Sequence, residues 1–90
     1  MSIKINIALS LQHATNGVKM AEVNGNTVGE CLIHLTEQFP LIKEQLFNEQ
    51  GKLDPFIDIY VNSESAYPEE LAKQVKDGDE LSILFLVGGG

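Results

Sequence analysis

Apolar and polar residues alternate at the start of the chain, and this period of two is typical of a half-buried β-strand. The apolar positions are Ile3, Ile5, Ile7, Leu9 and Leu11. A turn is expected across residues 13–17, because the dipeptide Asn16-Gly17 tolerates positive φ. A second, less regular strand is expected from Val18 to Val23, so that the two strands form an N-terminal hairpin.

A helix is predicted to begin after Thr27. Thr27 and Glu30 fit a capping box, in which a threonine caps the helix and a glutamate three residues later reaches back. Apolar residues then recur at helical spacing, at Val28, Leu32, Leu35 and Phe39. Because Pro40 disfavours a helical conformation at the residue before it, we expect the helix to end near Phe39. A short second helix is expected within residues 41–48.

The second half of the chain predicts two more strands. Residues 56–61 alternate, with Ile57, Ile59 and Val61 facing inward. A short helical turn is expected within residues 68–75, and the turn at residues 77–79 leads into a last strand over residues 80–87. The order strand, strand, helix, strand, short element, strand predicts an α+β fold of the β-grasp, or ubiquitin-like, type. We expect a mixed sheet of four to five strands, packed on one main helix, with the first and last strands parallel neighbours.

Length and charge limit the possible partners. Ninety residues with 43% hydrophobic content suit one domain, expected over residues 1–87 and followed by a flexible glycine tail at residues 88–90. Thirteen acidic residues against six basic ones give a net charge of −7. Nucleic acid binding needs clustered Lys and Arg, so no nucleic acid partner is expected, and no anionic membrane surface. The charge favours a partner with a basic surface.

Candidate chemistry within the domain is sparse. A single cysteine, Cys31, excludes an internal disulfide and fits a small buried hydrophobe. Neither His13 nor His34 has a second ligand at a convincing spacing, so we predict no metal site and no catalytic dyad. The start of the chain lacks the features of a signal peptide, and no apolar stretch approaches the ~20 residues that span a bilayer. We therefore expect a cytoplasmic location.

The chain ends in three glycines, Gly88, Gly89 and Gly90. Without Cβ atoms, such an end can thread a slot too narrow for side chains and leaves the terminal carboxylate open to attack. Three extended residues reach about 10 Å, far enough to enter another protein's active site. The alternative interpretation of a terminal glycine run is a frayed end or a cloning scar.

Several of these features together are shared with a known family. They are the alternating first strand, the helix end Phe39-Pro40, the strand end at residues 59–62, the turn at residues 77–80 and the terminal Gly89-Gly90. With them the chain resembles, over nearly its whole length, the MoaD/ThiS family of ubiquitin-like sulfur carriers, which includes the molybdopterin synthase small subunit. Chains of this family usually end in two glycines, and many molybdopterin synthase small subunits have prolines just before the tail. This chain differs in both respects, because it has a third glycine and no proline in residues 84–87.

The resemblance implies a protein co-substrate rather than an enzyme, although such a chain also counts as the small subunit of a synthase. An E1-like partner of the MoeB/ThiF type would adenylate the Gly90 carboxylate with ATP, while Gly88 and Gly89 thread its channel. A sulfur donor would then leave a thiocarboxylate, which a larger synthase subunit consumes in molybdopterin, thiamine or cysteine biosynthesis. No bound cofactor is expected, because the chain lacks a P-loop pattern and the partner binds the ATP. The third glycine leaves open whether Gly90 or a trimmed Gly89 is the active end.

The last strand adds a docking hypothesis. The positions of that strand expected to face the helix are Leu81, Ile83, Phe85 and Val87. Leu84 and Leu86 have the opposite parity, and one helix covers only one sheet face. We expect Leu84, Leu86 and Tyr60 to form a partner-docking patch; the alternative is a contact with residues 41–48. Two other functions stay open. They are a protein modifier joined to targets through Gly90, and an interaction module without tail chemistry.

Overall fold

The computed structural model describes residues 2–85, and its centre is a five-stranded mixed sheet. The strands are β1 (Ser2–Asn6), β2 (Met20–Asn24), β3 (Ile57–Val61), β4 (Glu64–Ser65) and β5 (Glu80–Phe85). Their order across the sheet is β2-β1-β5-β3-β4. β5 runs parallel to β1 and antiparallel to β3, and the β1–β2 and β3–β4 pairs are antiparallel. This arrangement confirms the β-grasp prediction. The predicted domain boundary at residue 87 lies outside the described residues and stays a prediction.

The main helix, α1 (Val28–Gln38), starts and ends where the sequence predicts. The Thr27 hydroxyl accepts the Glu30 N–H at 3.1 Å, and the Glu30 carboxylate accepts the Asn26 N–H at 2.9 Å. The first bond satisfies one of the backbone donors that a helix start leaves without an intrahelical partner, and the second ties Glu30 to the residue before the cap. A 3₁₀ turn (Pro40–Ile42) and the short helix α2 (Lys43–Leu46) follow.

The core lies between α1 and one face of the sheet. Period two in the strands and period three to four in the helix bring the buried side chains together. The strands contribute Ile3, Ile5, Ala21, Val23, Ile57, Ile59, Val61, Leu81 and Ile83, and α1 contributes Val28, Cys31, Leu32 and Leu35. The inward sets predicted for the last two long strands are therefore confirmed over the described residues.

The N-terminal strand is shorter than the alternation predicts. It stops at Asn6, and residues 9–15 form a 3₁₀ helix. Leu11 and Ala14 are buried, whereas Leu9 is 83% exposed. The prediction was wrong because spacing two at Leu9 and Leu11 looks like a strand, while spacing three at Leu11 and Ala14 suits a 3₁₀ helix.

The predicted turn is confirmed, and the second strand begins later than expected. Asn16 and Gly17 have φ of 55° and 82°, the left-handed conformation that these two residues tolerate. β2 then spans Met20–Asn24 instead of starting at Val18. The preceding Lys19 still uses its carbonyl to accept the Ile7 N–H at 2.9 Å, so the hairpin extends by one bond beyond the strands.

A polar bracket fixes the start of β5. The Asn62 amide donates to Asp79 Oδ1 at 2.9 Å, and its carbonyl oxygen accepts the Glu80 N–H at 3.0 Å. Asp79 Oδ2 accepts the Lys76 N–H at 2.9 Å. The Lys76 backbone bond, and then the Asn62 bond, hold the pKa of Asp79 below its usual range. The bracket thus ties the turn after β3 to the predicted turn before β5.

We expect Leu11→Ala to lower the free energy of unfolding by about 2–5 kcal/mol, because it leaves a cavity in the core. Leu9→Ala should change it by no more than about 0.5 kcal/mol, as for an ordinary surface substitution. Urea unfolding followed by circular dichroism measures both. Equal losses of free energy of unfolding in the two variants would mean that both side chains are buried, as the long first strand predicted.

Asp79→Asn should lower the free energy of unfolding by about 1–3 kcal/mol at neutral pH. Asparagine is uncharged and has one acceptor oxygen, so it cannot replace both hydrogen bonds that the carboxylate accepts. The folded pKa of Asp79 is depressed. Its contribution is therefore complete above the unfolded pKa of about 3.9 and is lost as pH falls through the folded value. The difference in free energy of unfolding between variant and wild type, measured by urea titration, should therefore become smaller below about pH 4. Glu44→Gln, at an exposed position, is the control. A gap that stays constant with pH would contradict the role of the charge.

Candidate functional site

The sheet face opposite α1 carries the predicted docking residues. Leu84 on β5 lies opposite Asp58 on β3, and the neighbouring pair is Ser82 with Tyr60. Residues paired across strands share a face, so Leu84 and Tyr60 are diagonal neighbours on the open side. Leu84 is 45% exposed and Tyr60 is half-buried. The structure therefore brings these two predicted residues together.

The alternative placement of Leu84 is not observed. Residues 41–48 turn Ile42 and Leu46 into the same core that α1 covers. Leu84 stays on the other face, whereas Ile83 beside it is almost fully buried. Leu84 is therefore a surface residue.

The remaining predicted site residues are Leu86, Gly88, Gly89 and Gly90, and they lie outside the described residues. What the structure defines is the strand from which they continue. β5 pairs with β1 over residues 80–82 and with β3 over residues 81–85. Its last described residue, Phe85, pairs with Ile57 and packs partly against the core. The point from which the chain continues is thus fixed relative to Leu84 and Tyr60.

The rest of the open face is mainly polar. The Asn6 amide donates to the Glu80 carboxylate and to the Ser82 hydroxyl, the latter at 3.3 Å. Lys4 lies in register between Glu22 on β2 and Glu80 on β5. The apolar surface formed by Leu84 and Tyr60 is therefore bordered by charged and amide groups. A small apolar centre with a polar rim is typical of non-obligate protein interfaces.

Sequence reasoning missed Asp58 as the cross-strand neighbour of Leu84. Its side chain is half-buried beside Leu84, and its Oδ1 accepts the Ser65 hydroxyl at 3.1 Å. The antiparallel register of β3 and β5 is the signal that identifies it, since the register alone places residue 58 opposite residue 84. Strand patterns without a pairing partner do not contain that information.

The groups that first suggest reactivity have structural roles. Burial, and then the charge of Glu30, raise the pKa of the Cys31 thiol to about 11, so the thiol is protonated at neutral pH and a poor nucleophile. His34 Nδ1 accepts the Asn24 N–H at 2.8 Å and joins α1 to β2. Within residues 2–85, no group of three or more His, Cys, Asp or Glu side chains could hold a metal ion. In the same range, no helix has the length and apolar character to cross a membrane.

Known proteins are similar to this chain in architecture and in sequence. The ThiS family model matches residues 10–90. The sulfur carrier protein CysO of Mycobacterium tuberculosis is 34% identical over 93 residues, covering 100% of both chains. A chain of the BexX/CysO complex of Amycolatopsis orientalis is 38% identical with a TM-score of 0.87, over 98% of this chain and 99% of that one. SAMP1 of Haloferax volcanii is 27% identical with a TM-score of 0.87, over 100% of both chains.

Proposed function

The chain belongs to the ThiS family and is a sulfur carrier, a protein co-substrate rather than an enzyme, and from this we propose that the Gly90 carboxylate carries the sulfur as a thiocarboxylate. One observation supports the proposal above the others. The strand that leads toward the terminal glycines is the central strand of the sheet, and its last described residues pair with β3 beside the exposed Leu84–Tyr60 pair. A partner that binds this pair meets the strand end at a defined position.

The proposed chemistry has two steps. A carboxylate with an ordinary α-carboxyl pKa of about 3.3–3.7 is ionised at neutral pH and is a weak electrophile. In the first step, a Gly90 carboxylate oxygen attacks the α-phosphorus of ATP, and pyrophosphate leaves. In the second, hydrosulfide attacks the resulting acyl carbon, AMP departs with that oxygen, and the thioacid loses its proton to give the thiocarboxylate. The glycine end has no Cβ to obstruct either attack. The adenylating partner supplies the contacts to ATP.

We propose that the sulfur then passes to an acceptor enzyme of cofactor or cysteine biosynthesis. The identity shared with the CysO proteins supports a carrier of that kind. The lack of prolines in residues 84–87 argues against the molybdopterin synthase small subunit within this set. BexX and CysO of Amycolatopsis orientalis form a complex, which supports the idea that this chain also docks on a partner protein.

A second candidate function is protein modification through Gly90. The similarity to SAMP1, a small archaeal modifier protein, favours it. Both functions begin with adenylation of the same carboxylate, so they are compatible. A tryptic remnant of the tail on a lysine of another protein, joined by an isopeptide bond, would identify the modifier.

We expect incubation with ATP, a sulfide source and the adenylating enzyme of the same cell to add about 16 Da to the intact mass, because sulfur replaces one oxygen. Gly90→Ala should abolish most of this gain, since a Cβ crowds the carbon under attack. Intact-mass spectrometry gives both results, and an unchanged urea midpoint checks that the variant is folded.

Two further results decide between interpretations of the tail. A Gly90 deletion that still gains the sulfur mass would identify Gly89 as the active end. Full loading of Gly90→Ala would contradict the steric argument. The absence of any mass gain on the wild-type protein would contradict the proposed function itself.

We further propose that Leu84, Leu86 and Tyr60 form the patch on which the adenylating enzyme docks. Leu84→Asp should then weaken binding to the enzyme by about tenfold or more, because it places a charge in an apolar contact. Since Leu84 is partly exposed, the free energy of unfolding should change by less than about 1 kcal/mol. Calorimetric titration and urea unfolding measure the two effects.

Leu41→Asp is the matched control for this test, because Leu41 is 69% exposed and lies outside the sheet. It makes the same chemical change and should leave binding unaltered. Equal weakening by both variants would point to charge in general and against the patch. A large loss of stability in Leu84→Asp would place that side chain in the core.

A further inference from the structure

An open groove of about 870 Å³ lies beside β3, between residues 51–55 and 67–71. Its apolar walls include Leu53, Pro55, Ile57, Tyr67 and Leu71. Leu53 and Leu71 pack partly against the core, so these walls are anchored. Tyr67 is 73% exposed and presents its ring at the surface. The groove therefore combines a fixed floor with an accessible aromatic side.

The groove is also negatively charged. Asp58, Glu69 and Glu70 line it together with one base, Lys52. The Asp58 carboxylate is held in place, because the Ser65 hydroxyl donates to it at 3.1 Å and accepts the Tyr67 N–H at 3.2 Å. A ligand with a positive charge would meet carboxylates next to apolar surface, whereas an acidic ligand would be repelled.

The groove adjoins the docking patch and the end of β5. Asp58 lines the groove and also lies opposite Leu84, and Ile57 lines it and lies opposite Phe85. One protein bound to the patch would therefore reach the groove without crossing other surface. This continuity connects the groove to the partner that handles the tail.

We propose that the groove receives a segment of the adenylating partner in which a lysine or arginine lies beside an aliphatic side chain. The inference rests on the proposed function and adds to it the chemistry by which the partner recognises the carrier. The cationic head of the lysine or arginine lies near Asp58, Glu69 and Glu70. Its methylene stem and the neighbouring aliphatic side chain pack on the apolar walls of the groove. The exposed Tyr67 ring offers an additional site for the cation.

The test is the ATP–pyrophosphate exchange that the adenylating enzyme catalyses with the carrier as second substrate. The double variant Glu69→Lys/Glu70→Lys should raise KM for the carrier by about tenfold or more, with kcat within about twofold, because the groove binds and does not react. Added salt should raise the wild-type KM more than that of the variant. Tyr67→Ser should also raise KM, by removing an apolar wall without changing charge.

The matched control is Glu37→Lys/Glu44→Lys, which changes the net charge equally at exposed positions outside the groove. Its KM should remain within about twofold of wild type, apart from a general effect of net charge on encounter. Urea midpoints near wild type verify that all three variants are folded.

The outcomes separate the two levels of the argument. Exchange with the wild type and equal KM values for groove and control variants would overturn the groove alone. The same holds if exchange is unaffected but transfer of sulfur to the acceptor is slowed, because the groove would then bind the acceptor. If the wild type supports no exchange, the proposed function fails and this inference fails with it.

Discussion

The pairing of β5 between β1 and β3 is the constraint on which the rest of the structure depends. The chain's last described strand lies at the centre of the sheet, parallel to the first strand and antiparallel to the third. A central strand has both rows of backbone groups available for pairing within the sheet, so its position and direction are set more strictly than those of an edge strand. The Asn62–Asp79 bracket adds a second restraint where β5 begins. Together they fix where β5 begins and the direction in which it runs toward Phe85.

The same pairing gives the two faces of β5 different tasks. Leu81 and Ile83 close the core against α1, and Leu84 lies on the open face beside Asp58 and near Tyr60. Because side chains alternate along a strand, a slip of one residue would exchange the buried and exposed sets. The hydrophobic energy that fixes the core therefore also fixes which side chains lie on the open face. If a partner docks there as proposed, the register of one strand couples stability to recognition.

Local signals in the sequence were sufficient for much of the fold, but not for the surfaces formed by distant segments. The capping pair Thr27–Glu30 and the Phe39-Pro40 helix end depend on neighbouring residues, and both are found where expected. The strand prediction at Leu9 was wrong because residues 9–14 contain both a spacing of two, at Leu9 and Leu11, and a spacing of three, at Leu11 and Ala14. Only the packing partners decide between the strand and the 3₁₀ helix. The groove joins residues 51–55 to residues 67–71, and Asp58 meets Leu84 through strand register. Such contacts between distant segments have no local pattern.

The side chains near the end of β5 offer a partner enzyme more specific contacts than the terminal glycines do. Glycines offer a partner only backbone and a carboxylate, so any enzyme with a narrow channel could accept them. Within the described domain, the one thiol is buried with a raised pKa and takes no part in surface chemistry. Discrimination between competing enzymes must then come from differences in affinity for side chains near the strand end. The Leu84–Tyr60 pair and the acidic groove are well placed for this purpose, because both border β3 and β5. A partner that matches one but not the other would lose part of its binding energy while still fitting the glycines.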